Sequence, residues 1–168
     1  MFDNFGKFDS AEEINKAAAA QKEQGDIQAV RDIAEENGID KEDAEDYIDG
    51  IVDDLTTPSM AALGKLKVEK ADLKTTGILE EWVEELESRA VSDMEFAEAV
   101  RKRGKSLAGY IAKTAEYGYS HRAIVNKKIC ELLKGDIKNI VGNHEFSIGV
   151  PTKAERAKIA SEYYGVKS

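Results

Sequence analysis

Cysteine occurs once in this 168-residue chain, at Cys130, and histidine and proline only twice each, at His121, His144, Pro58 and Pro151. A lone cysteine excludes an internal disulfide and a Cys-based structural zinc site, which points to a cytoplasmic protein. The histidines have no His, Cys or acid at a metal-ligand spacing on a common face, so no metal is expected. With so few prolines the chain is open to many helices. No apolar run approaches the roughly 20 residues that span a bilayer. The opening "MFDNFGKFDS" lacks the basic and apolar blocks of a signal peptide.

Catalytic signatures are scarce too. "GYIAKTAEYGYS" contains glycines but matches neither a Walker A loop nor a dinucleotide fingerprint. The acid-rich "DKEDAEDYIDG" fails as a calcium loop, because counting back from Gly50 puts Tyr47 where the third-position ligand belongs. Cys130 sits beside Ile129 and Leu132, the setting of a buried structural thiol rather than a nucleophile. A non-enzymatic protein without a cofactor is expected.

Charge is what the chain does have, at 34% of residues against 42% hydrophobic. Residues 1–64 carry 5 Lys/Arg and 17 Asp/Glu, a net of −12, whereas 65–168 carry 19 and 16, a net of +3. Within the second half, 101–134 holds 9 basic and 2 acidic side chains. Such asymmetry suggests electrostatic partners. Alternatively the two halves neutralise each other.

Punctuation predicts a mainly α fold of two small helical modules, 1–69 and 77–168, with a short β-hairpin near 137–150 around Gly142-Asn143. Ser10 and Glu13 form a capping box, and Gly25 and Gly38 are helix stops. Asp26 and Asp40 cap the second and third helices, and Thr57 with Pro58 opens a fourth that runs to about Val68. "EKADLKTTG", near 70–77, reads as a linker. Leu79, Trp82, Val83 and Leu86 recur at helical spacing. Ser92–Glu95 and Thr152–Glu155 repeat the capping box. Ser106 is expected to cap "LAGYIAKTAEY", and Ser120 to cap "HRAIVNKKICELLK" with His121 in its first turn.

The third helix is the most polarised segment. Between Gly38 and Leu55, eight of eighteen residues are acidic. At about 100° per residue, Ala44, Tyr47, Ile48, Ile51, Val52 and Leu55 fall on one arc of about 140°. Glu42, Asp43, Glu45, Asp46, Asp49, Asp53 and Asp54 fall opposite. A continuous helix would dock by its apolar stripe and present carboxylates to a partner. The basic residues Arg101, Lys102, Arg103, Lys105, Arg122, Lys127 and Lys128 are the other candidate, as a phosphate-contacting patch. Tyr110, Tyr117 and Tyr119 lack the regular placement of a base-stacking platform.

"LEEWVEELESRAVSDMEFAEAV", "SLAGYIAKTAEYG" and the terminal "EYYG" carry a resemblance to the PcfK-like proteins of conjugative plasmids and related mobile elements. Asp93, Phe96, Ala97, Tyr163 and Tyr164 match that pattern. The first half, "FDSAEEINKAAAAQKEQGD" with "NGIDKEDAEDYIDGIVDDLTTPSMAALGKL", looks like the extension of Firmicute mobile-element members, which are similar to the ninth group of type II-A anti-CRISPR proteins. The resemblance implies a phage- or plasmid-borne inhibitor in a bacterial host. Its partner would be a type II CRISPR effector nuclease or that nuclease's guide-RNA complex. No catalytic residue is implied. Alternatives from other classes are a conjugation accessory that binds nucleic acid through 101–128, and a structural adaptor.

Overall fold

The computed structural model describes residues 7–142 and 144–167. It is mainly helical, with ten helices and one two-stranded antiparallel sheet among the described residues. Helices α1 (Ala11–Glu23), α2 (Ile27–Glu36) and α3 (Lys41–Ile48) form the first group. Next come α4 (Pro58–Leu73), α5 (Ile78–Ser92), α6 (Met94–Arg101) and α7 (Leu107–Ser120). Strand β1 (Ala123–Ile124), helices α8 (Lys127–Cys130) and α9 (Gly135–Val141), strand β2 (Ser147–Ile148) and helix α10 (Lys153–Tyr164) complete the order. No helix among the described residues is long and apolar enough to cross a membrane.

Side-chain caps set most helix starts. Ser10 Oγ accepts from the Glu13 N–H at 3.1 Å, Asp26 from Ala29 at 3.0 Å and Thr57 from Met60 at 3.3 Å. Thr152 and Glu155 close a reciprocal capping box. Asp40 stands at the start of α3 but makes no side-chain cap bond, its carboxylate being turned to Lys67, and two other expected caps move. Ser92 is the last residue of α5, and Asp93 caps α6 by accepting from Phe96 at 3.0 Å. Ser120 ends α7, and its hydroxyl donates to Glu116 O one turn behind it, the local back-bond available to a serine on a helix, instead of opening a new helix. His121 therefore closes a helix instead of opening one, with its ring stacked on Tyr117 at 3.9 Å.

Strand β2 falls inside the expected 137–150 stretch, but its partner is β1, with Ala123 opposite Ile148 and Ile124 opposite Ser147. The strands are thus joined through α8 and α9, not by a tight turn at Gly142-Asn143. Ile137, Ile140 and Val141 have helical spacing and form α9, which Gly142 ends at φ +49°. Asn143 lies outside the described residues.

Two apolar clusters fill the interior. The first gathers Ile14, Val30, Ile33, Tyr47 and Leu55, and the second Trp82, Leu86, Phe96, Tyr110 and Tyr164. Helix α4 serves both, giving Ala61 to the first and Ala62 and Leu66 to the second. It continues to Leu73 and stops with Lys74 left-handed at φ 50°, so the connector is shorter than 70–77. The turn between α2 and α3 lies directly on it. A Cβ on Gly64 would stand 2.2 Å from Asn37 O, and one on Gly38 2.3 Å from Gly64 O. Only glycines permit that approach.

Two buried cations bolt the clusters together. Arg101, 1% exposed, donates to Ala61 O at 2.8 Å, Asn37 Oδ1 at 2.7 Å and Phe8 O at 3.0 Å. Lys65 Nζ donates to Val100 O at 2.6 Å, in the last turn of α6, and to Lys105 O at 2.7 Å, in the connector to α7.

Candidate functional site

The acidic segment is a short helix followed by a pinned loop, not one long rod. Helix α3 stops at Ile48, Asp49 is its C-cap, and Gly50 turns left-handed at φ +76°. The Ile51 N–H then bonds Asp46 O at 2.8 Å and the Gly50 N–H bonds Tyr47 O at 3.2 Å, the reversal that glycine makes after a helix. The expected apolar arc therefore ends at Ile48. Ile51 is 69% and Val52 42% exposed, while Leu55 is buried. Asp53 and Asp54 sit on the loop, not on a helix face.

Both ends of this loop are fixed. Lys22 of α1 donates Nζ to Tyr47 O and lies over the Tyr47 ring at 4.4 Å, neutralising the negative end of α3. Beyond Leu55, the Asn15 amide holds the Thr56 backbone on both sides. Its Oδ1 accepts from the Thr56 N–H at 2.9 Å, and its Nδ2 donates to Thr56 O at 2.9 Å.

One of the seven acids is spoken for. Arg31 of α2 grips Glu45 with two bonds, Nε to Oε1 at 2.7 Å and Nη2 to Oε2 at 2.9 Å. That contact holds the Glu45 carboxyl below its ordinary range and raises the Arg31 guanidinium. Asp40, just before α3, pairs with Lys67 of α4 at 2.6 Å. Among the described residues, Glu42, Asp43, Asp46, Asp49, Asp53 and Asp54 make no ion pair. Six carboxylates without an ion pair remain: Glu42, Asp43 and Asp46 on α3, Asp49 at its cap, and Asp53 and Asp54 on the loop, with Ile51 and Val52 exposed between Asp49 and Asp53. The exposed pair was missed in the sequence, although Asp49-Gly50 ahead of two β-branched residues is a legible helix stop.

The basic residues do not form one patch. Arg101 is a buried structural bolt, drawn inward because it satisfies carbonyl and amide oxygens of two other elements. Arg103 pairs with Asp9 at 3.0 Å. Lys105 donates to Tyr163 O and lies over its ring at 5.1 Å. Arg122 donates to Tyr119 O at 2.7 Å and covers that ring at 4.1 Å. Lys102, Lys127 and Lys128 remain exposed. Helix α7 separates the groups: Lys102, Arg103 and Lys105 precede it, and Arg122, Lys127 and Lys128 follow it, some ~20 Å along its axis. Internal neutralisation is slight as well, since Arg103–Asp9 is the one ion pair between these seven and residues 7–64 of the described chain.

Among the described residues no group of three His, Cys, Asp or Glu side chains could hold a metal ion. Cys130 is half-buried, its Sγ 3.8 Å from Val125 O, and it lines a surface cavity instead of a core. The comparisons add no neighbour to this geometry: no protein-family model, curated protein or solved structure matches the chain.

Proposed function

We propose that the protein is a non-enzymatic inhibitor of a type II RNA-guided CRISPR nuclease, binding through the acidic surface of α3 and the loop 49–54. The observation that carries this reading is the set of six carboxylates without ion pairs, displayed on a segment anchored at Tyr47 and Thr56. A nuclease of that class holds guide and target in positively charged channels. Carboxylates on a rigid support can occupy such a channel in place of phosphates. Ile51 and Val52, exposed between Asp49 and Asp53, add apolar contact that survives salt. Long-range attraction between this surface and a basic groove speeds encounter. The sequence resemblance to the anti-CRISPR group supplies the choice of nuclease among cationic partners.

A pull-down with purified nuclease, apo and guide-loaded, followed by a cleavage assay, tests the reading. Changing Asp46, Asp49 and Asp53 together to Asn is expected to weaken inhibition at least tenfold and flatten its salt dependence. A triple variant that inhibits like the parent would remove this surface from consideration. A chain that instead shifts free DNA or RNA at low salt would favour the accessory role through 101–128.

A further inference from the structure

Residues 122–150 leave the helical body where α7 ends and return to it where α10 begins, and both points are fastened. His121 stacks its ring on Tyr117 at 3.9 Å. The carbonyl of the buried Pro151 accepts from Arg156, which also donates to Glu85 of α5 at 2.6 Å. Tyr117 donates to Glu155 Oε1 at 2.8 Å, so α7 and α10 are joined directly and the body is closed at the base of the segment.

Between those points little holds the segment down. Among its described residues only Val141 is buried, and Val141 belongs to neither apolar cluster. Leu132 and Ile140 are each 78% exposed. Among the described residues no hydrogen bond or ion pair joins 123–150 to the helical body. The β1–β2 pairing and the bond from the Val125 N–H to Phe146 O at 2.8 Å are internal. The segment touches α7 through glycine, where a Cβ on Gly149 would stand 1.8 Å from Gly118 O. Beside that contact is a cleft of about 530 Å³, lined by Arg122, Glu145 and Ser147 of the segment and by Trp82, Ala115 and Tyr119 of the body. The Trp82 indole N–H has no acceptor among the described residues. A well-packed seat leaves neither such a gap nor an unbonded donor. Scarce apolar burial marks the parts of a chain that open locally. We infer that residues 122–150 form a strap that unfolds and refolds over α7 as one unit, hinged at His121 and Pro151, while both apolar clusters stay folded. Helices α8 and α9, of four and seven residues, are too short to persist once detached, so the strap loses its structure when it leaves.

Native-state hydrogen exchange of the full chain, followed by NMR, tests this. The Val125, Glu131 and Gly142 amides bond Phe146 O, Lys127 O and Lys138 O, one in each part of the strap. They should share one protection factor, at least a hundredfold below that of the α5 and α6 amides. Gly118→Ala puts a methyl 2.7 Å from Gly149 O and should lower the strap's protection at least a further tenfold. The urea midpoint reported by Trp82 should hold or rise, because alanine favours helix α7. Gly149→Ala should loosen the strap from the other side, again leaving that midpoint in place. Strap amides as protected as those of α5 and α6, or three unequal protection factors, would overturn the inference. So would a glycine variant that lowers the Trp82 midpoint while the strap's protection is unchanged.

Discussion

Arg101 and Lys65 show how far a residue's role departs from its type. In the sequence Arg101 heads a basic run, "RKRGK", yet its guanidinium is interior and joins α6 to Ala61, Asn37 and Phe8. Periodicity could have placed it inward, since it follows Ala97 and Val100 by four residues and one, but charge argued for the surface. Arg101→Ala leaves the buried Asn37 Oδ1 without its donor, removes the bonds to Ala61 O and Phe8 O and empties an interior site, and should cost about 3 kcal/mol, measured by urea denaturation. Lys65 gives a pH signature. Burial lowers its ammonium from 10.5 to about 8, so between those values the unfolded chain binds more protons than the folded one. Stability should therefore rise as pH climbs from about 8 towards 10, by up to ~3 kcal/mol. Above about 10 the trend reverses, because burial raises the Tyr164 phenol and only the unfolded chain then ionises it. Urea midpoints across this range check both limbs, and Lys65→Met should abolish the first.

At the scale of elements, caps were legible and stops were not always. Ser10, Asp26, Thr57, Ser106 and Thr152 all cap the helices their spacing announced. Around Gly50 the apolar positions keep a 3.6-residue period on both sides, so the pattern alone continues the helix through it. Tertiary anchoring of Leu55 by the first cluster overrides that period and releases Ile51 and Val52 outward. The acidic residues were thus identifiable from sequence, while their division between a helix and a loop was not. Two glycines distinguish conformational from steric demand. Gly50→Ala meets nothing within 4 Å and should cost only the left-handed penalty, about 1 kcal/mol. Gly64→Ala has ordinary helical backbone but drives a methyl into Asn37 O, and should cost about 3 kcal/mol as α2 and α4 separate. Thermal melts of the two variants test the order.

For the whole molecule, the expected division at 70–77 meets a helix that belongs to both sides. Helix α4 supplies Ala61 to one cluster and Ala62 and Leu66 to the other, and Lys65 and Arg101 tie α4 to α6. Sequence shows where a polar stretch lies but not which core a helix feeds, since alternate residues of α4 face different neighbours. The clusters should therefore unfold together. Trp82, the only tryptophan, reports the second cluster, and far-UV ellipticity reports all helices. Their denaturation midpoints should coincide in the parent. Arg101→Ala should pull them apart, with the second cluster outlasting the first.

The Asn15 amide that grips Thr56 has a consequence for energetics away from the fold. A tip already immobilised by α1 surrenders little freedom when something closes over it, so its docking carries a small entropic penalty. Asn15→Ala would leave every outward-facing atom in place and still slacken the grip of whatever binds there, chiefly by shortening its residence.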